Sequence, residues 1–173
     1  MSKKRRRGDL LIENHIDFMA NTYTQIFIQI VFAVKGRQNL ISKENREELQ
    51  KFISGIVTKR NQKLYAIFAM PDHVHILVSM SPTVSVSVSD LVRDIKAGSS
   101  KFINDKKWKN GKFNWQEGYG AFSYSKSSVD AVVNYILNQE EHHHKKTFKE
   151  EYLDFLQKFD IEYDSQYLFD WID

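Results

Sequence analysis

The run Tyr65–Ser79 constrains the fold of this chain more than any other segment. Two strand-like stretches, roughly 64–70 and 73–80, are separated by Pro71-Asp72, a pair that favours a turn. His73 and His75 lie in the second stretch. Side chains two apart in a strand emerge on the same face, so the imidazoles stand side by side while Val74 and Ile76 point into a core. Such a pair is either two polar residues on a solvated face or half of a divalent-metal site.

The remaining elements follow from periodicity. Residues 22–34 are rich in β-branched and aromatic side chains and read as a strand ended by Gly36. Ser42 can cap a helix to about Asn61, with Leu49, Phe52, Ile53 and Ile56 on one face. A Ser/Val loop over 81–89 leads into a helix to Lys106, with Leu91, Val92, Ile95, Phe102 and Ile103 as its buried stripe. Short strands are predicted at 112–115 and 121–124, around the Gly118-Tyr119-Gly120 break, where the glycines would let the following helix swing. Ser127 or Ser128 starts a helix over 129–144, with Val132, Val133, Ile136 and Leu137 apolar. The acidic tail alternates with Tyr152, Phe155, Phe159, Tyr163, Tyr167, Phe169 and Trp171, which predicts a last helix and an arm packed on a neighbour.

The order β-α-β-β-α-β predicts an α+β, ferredoxin-like (split βαβ) antiparallel sheet with helices on one face, plus a C-terminal helix carrying Tyr135. The first and third strands would lie centrally, with the histidine pair mid-sheet and its face free for a ligand. That sheet hosts many unrelated functions and settles none.

Composition removes several classes. The 173 residues suit one domain with its own core. The absence of cysteine excludes disulfides and thiolate zinc cages and fits a reducing cytoplasm. No apolar run approaches the roughly 20 residues that span a bilayer, so no membrane role is expected. Charge is divided: residues 19–139 carry 16 bases against 9 acids, and residues 140–173 carry 4 bases against 10 acids. A basic body suits a polyanionic partner. Residues 1–18 hold Lys3, Lys4, Arg5, Arg6 and Arg7 without periodicity and read as an upstream-start artefact or a disordered basic leader, leaving 19–173 as a single domain.

A second constellation gives the histidine pair meaning. Tyr135 and Gln139 are four apart on one helix face. The phenol is either an amphipathic core aromatic or a nucleophile, and the amide oxygen can serve as a third metal ligand. His142, His143 and His144 fan out by about 100° each on a helix, so all three cannot hold one ion. A solvent-facing helix end or a phosphate contact is the simpler reading, with His142 or His143 still within reach of Tyr135. Arg93, Lys96, Lys101, Lys107 and Lys112, with Trp108 interleaved, read either as a solvated face or as a phosphate-tracking surface with a stacking platform.

Met70-Pro-Asp-His-Val-His-Ile-Leu-Val78, Trp115-Gln-Glu-Gly-Tyr-Gly-Ala-Phe-Ser123 and Tyr135-Ile-Leu-Asn-Gln-Glu-Glu-His-His143 together resemble the single-tyrosine HUH transposases of small bacterial insertion sequences, the IS200-like family. The resemblance runs from about Met19 to Trp171. It implies that Tyr135 is the nucleophile and that His73, His75 and Gln139 hold Mg²⁺ or Mn²⁺. It further implies cleavage and rejoining of single-stranded DNA with hairpin ends, through a 5′-phosphotyrosine, by a homodimer whose active sites are shared between subunits. Two other classes compete: a module that grips nucleic-acid hairpins without cutting, and a small metal-dependent phosphodiesterase that uses water. The chain is too short for the large barrel hydrolases.

Overall fold

The computed structural model describes residues 24–81 and 86–169. The basic leader, part of the Ser/Val loop and Trp171 lie outside them. Strands β1 (Phe27–Ala33), β2 (Lys63–Ala69), β3 (His73–Ser79) and β4 (Gly120–Tyr124) form one antiparallel sheet in the order β2-β3-β1-β4. Helices α1 (Lys43–Lys59) and α2 (Val88–Asp105) connect them. This is the ferredoxin-like α+β architecture expected, with β1 and β3 central. No helix of the described residues is long and apolar enough to cross a membrane.

Alternation along the strands divides the sheet into two faces. Ile30, Phe32 and Val34 join Val74, Ile76 and Val78 under α1 and α2, which contribute Leu49, Ile53, Val57, Leu91, Val92, Ile95 and Ile103. Local chemistry starts both helices. The Ser42 side chain accepts from the Asn45 amide, and Ser87 with Asp90 forms a reciprocal capping box before α2.

The other face is closed rather than open. Helices α3 (Val129–Leu137), α4 (Gln139–His143) and α5 (Phe148–Lys158) follow β4. Val129, Val132 and Ile136 of α3 pack on Phe27, Ala66 and Leu77. Phe148, Tyr152, Phe155, Leu156 and Phe169 pack on Val31, Ala33 and Phe122. The aromatic tail covers its own sheet as far as Phe169, while Tyr163 and Tyr167 remain exposed. Gly120 permits this approach: a Cβ there would lie 2.9 Å from the rings of both Phe122 and Tyr152. The glycine serves close packing.

Three local expectations change. The predicted strand at 112–115 reduces to a bridge between Val34 and Trp115, because the Asn104 side chain takes both backbone groups of Phe113 (2.7 and 3.0 Å). Ser128 precedes α3 without a side-chain cap, after a 3-10 turn over Lys126–Ser128. The helix expected over 129–144 breaks at Asn138 (φ −101°, ψ 26°), whose side-chain nitrogen donates to the Asn134 carbonyl. Asparagine competes for backbone partners in this way, which weakens helix interiors. Glu140 then pairs with Arg46 of α1 at 2.7 Å and fixes the new direction of α4.

Trp115 fills the core edge-on to Phe32 and Phe113, and its Nε1–H donates to Ser99 Oγ at 2.8 Å. Ser99 is fully buried and donates in turn to the Ile95 carbonyl. Ser99→Ala strands the indole donor in the core. We expect a loss of about 1–3 kcal/mol in urea unfolding; a loss under about 0.5 kcal/mol, the size of a surface change, would deny the contact that role.

Candidate active site

The face beneath α3–α5 carries the histidine pair. In the sheet register His73 lies opposite Ala33 and His75 opposite Val31, with Phe68 of β2 on the far side of His75. His73 is 1% and His75 0% exposed, which rules out a solvated strand face.

Each ring is held by the nitrogen that points away from the cluster. His73 Nδ1 lies 2.7 Å from Asp72 Oδ1, and Asp72 Oδ2 accepts from Arg37 Nε at 2.8 Å. Burial pushes the Asp72 carboxyl up, but His73 and Arg37 outweigh it and hold it at about 2. An ionised Asp72 can only accept, so His73 carries its proton on Nδ1 and presents a bare lone pair at Nε2. Gln29, fully buried, places its amide nitrogen 3.2 Å from His75 Nδ1 and accepts the Tyr124 hydroxyl on its oxygen at 3.0 Å.

The C-terminal helices close on these rings. Tyr135 donates its hydroxyl to Glu151 Oε1, and Gln139 Nε2 donates to the same oxygen at 3.1 Å. The turn at Asn138 brings Gln139 to 0% exposure. It also aims His143 inward, with its ring 4.8 Å from that of His73 and its Nε2 3.3 Å from Glu151 Oε2. The His142 ring packs on Tyr135 at 4.9 Å. Ligand atoms of His73, His75, His143 and Glu151 all lie within 4.8 Å of one another.

Five buried atoms here lack a hydrogen-bond partner: Nε2 of His73, His75 and His143, Gln139 Oε1 and Glu151 Oε2. Burying acceptors without partners beside a carboxylate is costly unless something positive binds them, and His75 Nε2 is such an acceptor once the ring proton sits on Nδ1 and the Gln29 amide turns its oxygen toward it. Three imidazole nitrogens and a carboxylate oxygen form a donor set for a divalent cation, and Gln139, held on Glu151 Oε1, carries a buried amide oxygen next to it. The residues therefore fit the metal that the sequence resemblance implies.

Beside this cluster opens a cavity of about 620 Å³. Tyr135, His142, Glu151, Phe155, Lys146 and Lys158 are among its lining residues.

The structure brings His73, His75, Tyr135 and Gln139 together within one chain. It does not bring the proposed DNA-contact residues there. Arg93, Lys96 and Lys101 belong to α2, across the sheet from the histidines. Lys96 is half-buried and its ammonium donates to the Gln116 and Gly118 carbonyls (2.6 and 2.7 Å), so it holds a loop rather than offering a free charge. Lys101 pairs with Asp105 and Arg93 with Asp90. Trp108 packs edge-on against Phe102, while Lys107 and Lys112 are exposed.

Sequence reasoning missed Glu151. A signal existed: Phe148, Glu151, Tyr152 and Phe155 have the spacing of one helix face, so an acid interrupts an apolar stripe. A continuous helix keeps His143 within reach of Tyr135 only, whereas the turn at Asn138 places it among the ligand atoms.

Comparison with known proteins supplies a family and a shared fold. Residues 22–139 match the family described as "Transposase IS200 like". The chain belongs to the IS200-like transposase family. It is 24% identical over 122 residues to the ISDra2 transposase TnpA of Deinococcus radiodurans, covering 66% of this chain and 84% of that protein. Its fold is shared with a crystallised Deinococcus radiodurans R1 protein assigned as a transposase (TM-score 0.53, 22% identity, 79% of this chain and 98% of that one). A REP-associated tyrosine transposase bound to a REP hairpin also shares it (TM-score 0.53, 16% identity, 83% and 74%). Membership makes the chain a DNA-cleaving enzyme of this family.

Burial holds His73 at about 3 and His143 at about 4, both below the ordinary 6.5. Between pH 6.5 and about 4 the unfolded chain thus binds more protons than the native one, and native stability falls as the pH falls. The slope is about 1.4 kcal/mol per pH unit for each proton of difference. Metal-free protein should show a lower urea midpoint at pH 5 than at pH 7.5, with a shallower fall in His143→Gln. An equal fall in both proteins would remove His143 from the account.

Proposed function

We propose that this transposase cleaves and rejoins single-stranded DNA at insertion-sequence ends through a 5′-phosphotyrosine at Tyr135. The observation that carries the reading is the convergence of the Tyr135 hydroxyl with the free Nε2 atoms of His73 and His75 and with Gln139 Oε1 in one buried cluster. Mg²⁺ or Mn²⁺ held by His73, His75 and Gln139 would supply Lewis-acid neutralisation of charge at the scissile phosphate. Imidazole nitrogens favour the softer Mn²⁺ of the two.

Tyr135 Oη attacks phosphorus. Its bond to phosphorus forms as the P–O3′ bond breaks, and the departing oxygen takes a proton to become a free 3′-OH. The new linkage is again a phosphodiester, so a later 3′-OH can reverse the step without ATP. The Tyr135 hydroxyl proton already points at a carboxylate oxygen of Glu151. The adjoining cavity has room for a nucleotide, with lysines for its phosphate and aromatic rings for its base. Hairpin-ended DNA is the proposed partner, in line with the REP hairpin held by one structural relative. Arg93, Lys101, Lys107, Trp108 and Lys112 remain proposed contacts to DNA flanking the cut, and the cytoplasm is the proposed compartment.

The test is a cleavage assay on labelled single-stranded DNA from the gene's flanks, read on a denaturing protein gel. Wild type with Mn²⁺ should give a labelled protein band. Tyr135→Phe should give none, and His75→Ala should reduce the band at least about 100-fold. Binding without a covalent band under either metal would favour a hairpin-gripping module.

Joining two ends calls for two centres, so a homodimer is the proposed assembly. Because one chain supplies every member of the cluster, each subunit should act with its own tyrosine. Mixing Tyr135→Phe with His75→Ala should then restore no band. Recovery toward a quarter of wild-type yield would instead establish sites shared between subunits.

A further inference from the structure

Glu151 lies on α5, beyond the stretch 22–139 that matches the family, yet it stands at the middle of the cluster. It is 3% exposed. Its oxygens have different surroundings. Oε1 accepts from Tyr135 and from Gln139, whereas Oε2 has no hydrogen-bond partner and faces His75 Nε2 at 3.4 Å and His143 Nε2 at 3.3 Å. Among the described residues its ion-pair contacts are imidazoles alone; no lysine or arginine reaches it.

Tertiary packing enforces this placement. Thr147 and Glu150 form a capping box that starts α5, and Tyr152 and Phe155 on the same helix face bury themselves against the sheet. The close approach of Tyr152 at Gly120 sets how deeply the helix sits. A buried carboxylate is tolerated when it is paired or coordinates a metal. Here one oxygen is satisfied by the nucleophile's hydroxyl, and the other meets the same opening as the free nitrogens of the histidine pair.

We propose that Glu151 is a positioning residue that ties the nucleophile to the cation: Oε1 holds the Tyr135 hydroxyl, and Oε2 is a further ligand of the divalent ion beside His73, His75 and Gln139. The inference rests on the cation site of the proposed function. One carboxylate then fixes the distance from the attacking oxygen to the ion, which a long tyrosine on a short helix cannot do alone. Loss of its charge weakens the ion, and loss of its reach frees the phenol.

The full-length, metal-free protein tests both halves without turnover. Mn²⁺ binding is measured by calorimetry, and the Tyr135 ring is followed by NMR of protein labelled at the tyrosine Cζ, its signal assigned by its disappearance in Tyr135→Phe. Glu151→Gln should weaken Mn²⁺ at least about tenfold, the loss usual for a group that holds a metal site together. It should also move the Tyr135 signal toward that of the exposed Tyr167. Mn²⁺ affinity within twofold of wild type, or an unmoved Tyr135 signal, in a folded Glu151→Gln protein would overturn the proposal. Should that variant not fold, Glu151→Asp keeps the charge but retracts it by one methylene, and the same two changes are required of it. Both changes in a protein whose wild type forms no DNA adduct would support Glu151 while sinking the phosphotyrosine reading.

Discussion

The pairing of β1 with β3 is the contact on which the rest of the molecule depends. Its register sets His73 against Ala33 and His75 against Val31, with Ile76 against Ile30 on the opposite side. Side-chain direction alternates every residue, so a slip of one would send both histidines into the apolar layer under α1 and α2 and expel Val74 and Ile76 from it. That layer, fully buried across all three residues on each strand, makes the slip prohibitive. The hydrophobic face thus fixes the chemical one. On the latter, the small side chain at Ala33 and the missing one at Gly120 let α5 descend far enough for Glu151 to reach the rings.

The cost of such a centre lies in five polar atoms buried without partners, in a face otherwise lined by aromatic and aliphatic side chains. What keeps them ordered is a set of contacts on their outer sides: Arg37 to Asp72 to His73, and Tyr124 to Gln29 to His75. These contacts hold the rings from behind and leave the inward nitrogens free. A cation joining the five would relieve that cost, so binding and folding stability are coupled in this molecule.

Much of this was legible from sequence because it depends on short-range periodicity. His73 and His75 share a face by the two-residue repeat of a strand, and Tyr135 and Gln139 lie a helical turn apart. The sheet order followed from element order. What stayed hidden depends on where the chain turns in space. Asn138 breaks the helix just after its apolar stripe ends at Leu137, and that turn, absent from the periodicity, brings His143 and Gln139 inward. Glu151 needed the knowledge that α5 returns to its own sheet, whereas its aromatic neighbours read equally well as a sticky arm. Lys96 misled for the opposite reason: a lysine on a helix looks the same in sequence whether its ammonium meets water or two loop carbonyls.

With the histidine pair fully covered, the route of a substrate is restricted. The sheet closes the centre from below, and α5 with Phe148 stacked on His73 closes it from the β1 side. Among the described residues, the cavity lined by Tyr135, His142 and Glu151 borders the cluster, and Lys146 and Lys158 line it too. A phosphate arriving there would meet Tyr135, which lines the cavity, before the histidine pair, which does not, an order that fits the proposed attack by the phenol. The basic surface of α2 lies across the sheet and cannot take part in that step. Its proposed contacts fall on DNA that has passed around an edge of the sheet, so loss of Lys101 should weaken binding while leaving the proposed step at Tyr135 intact.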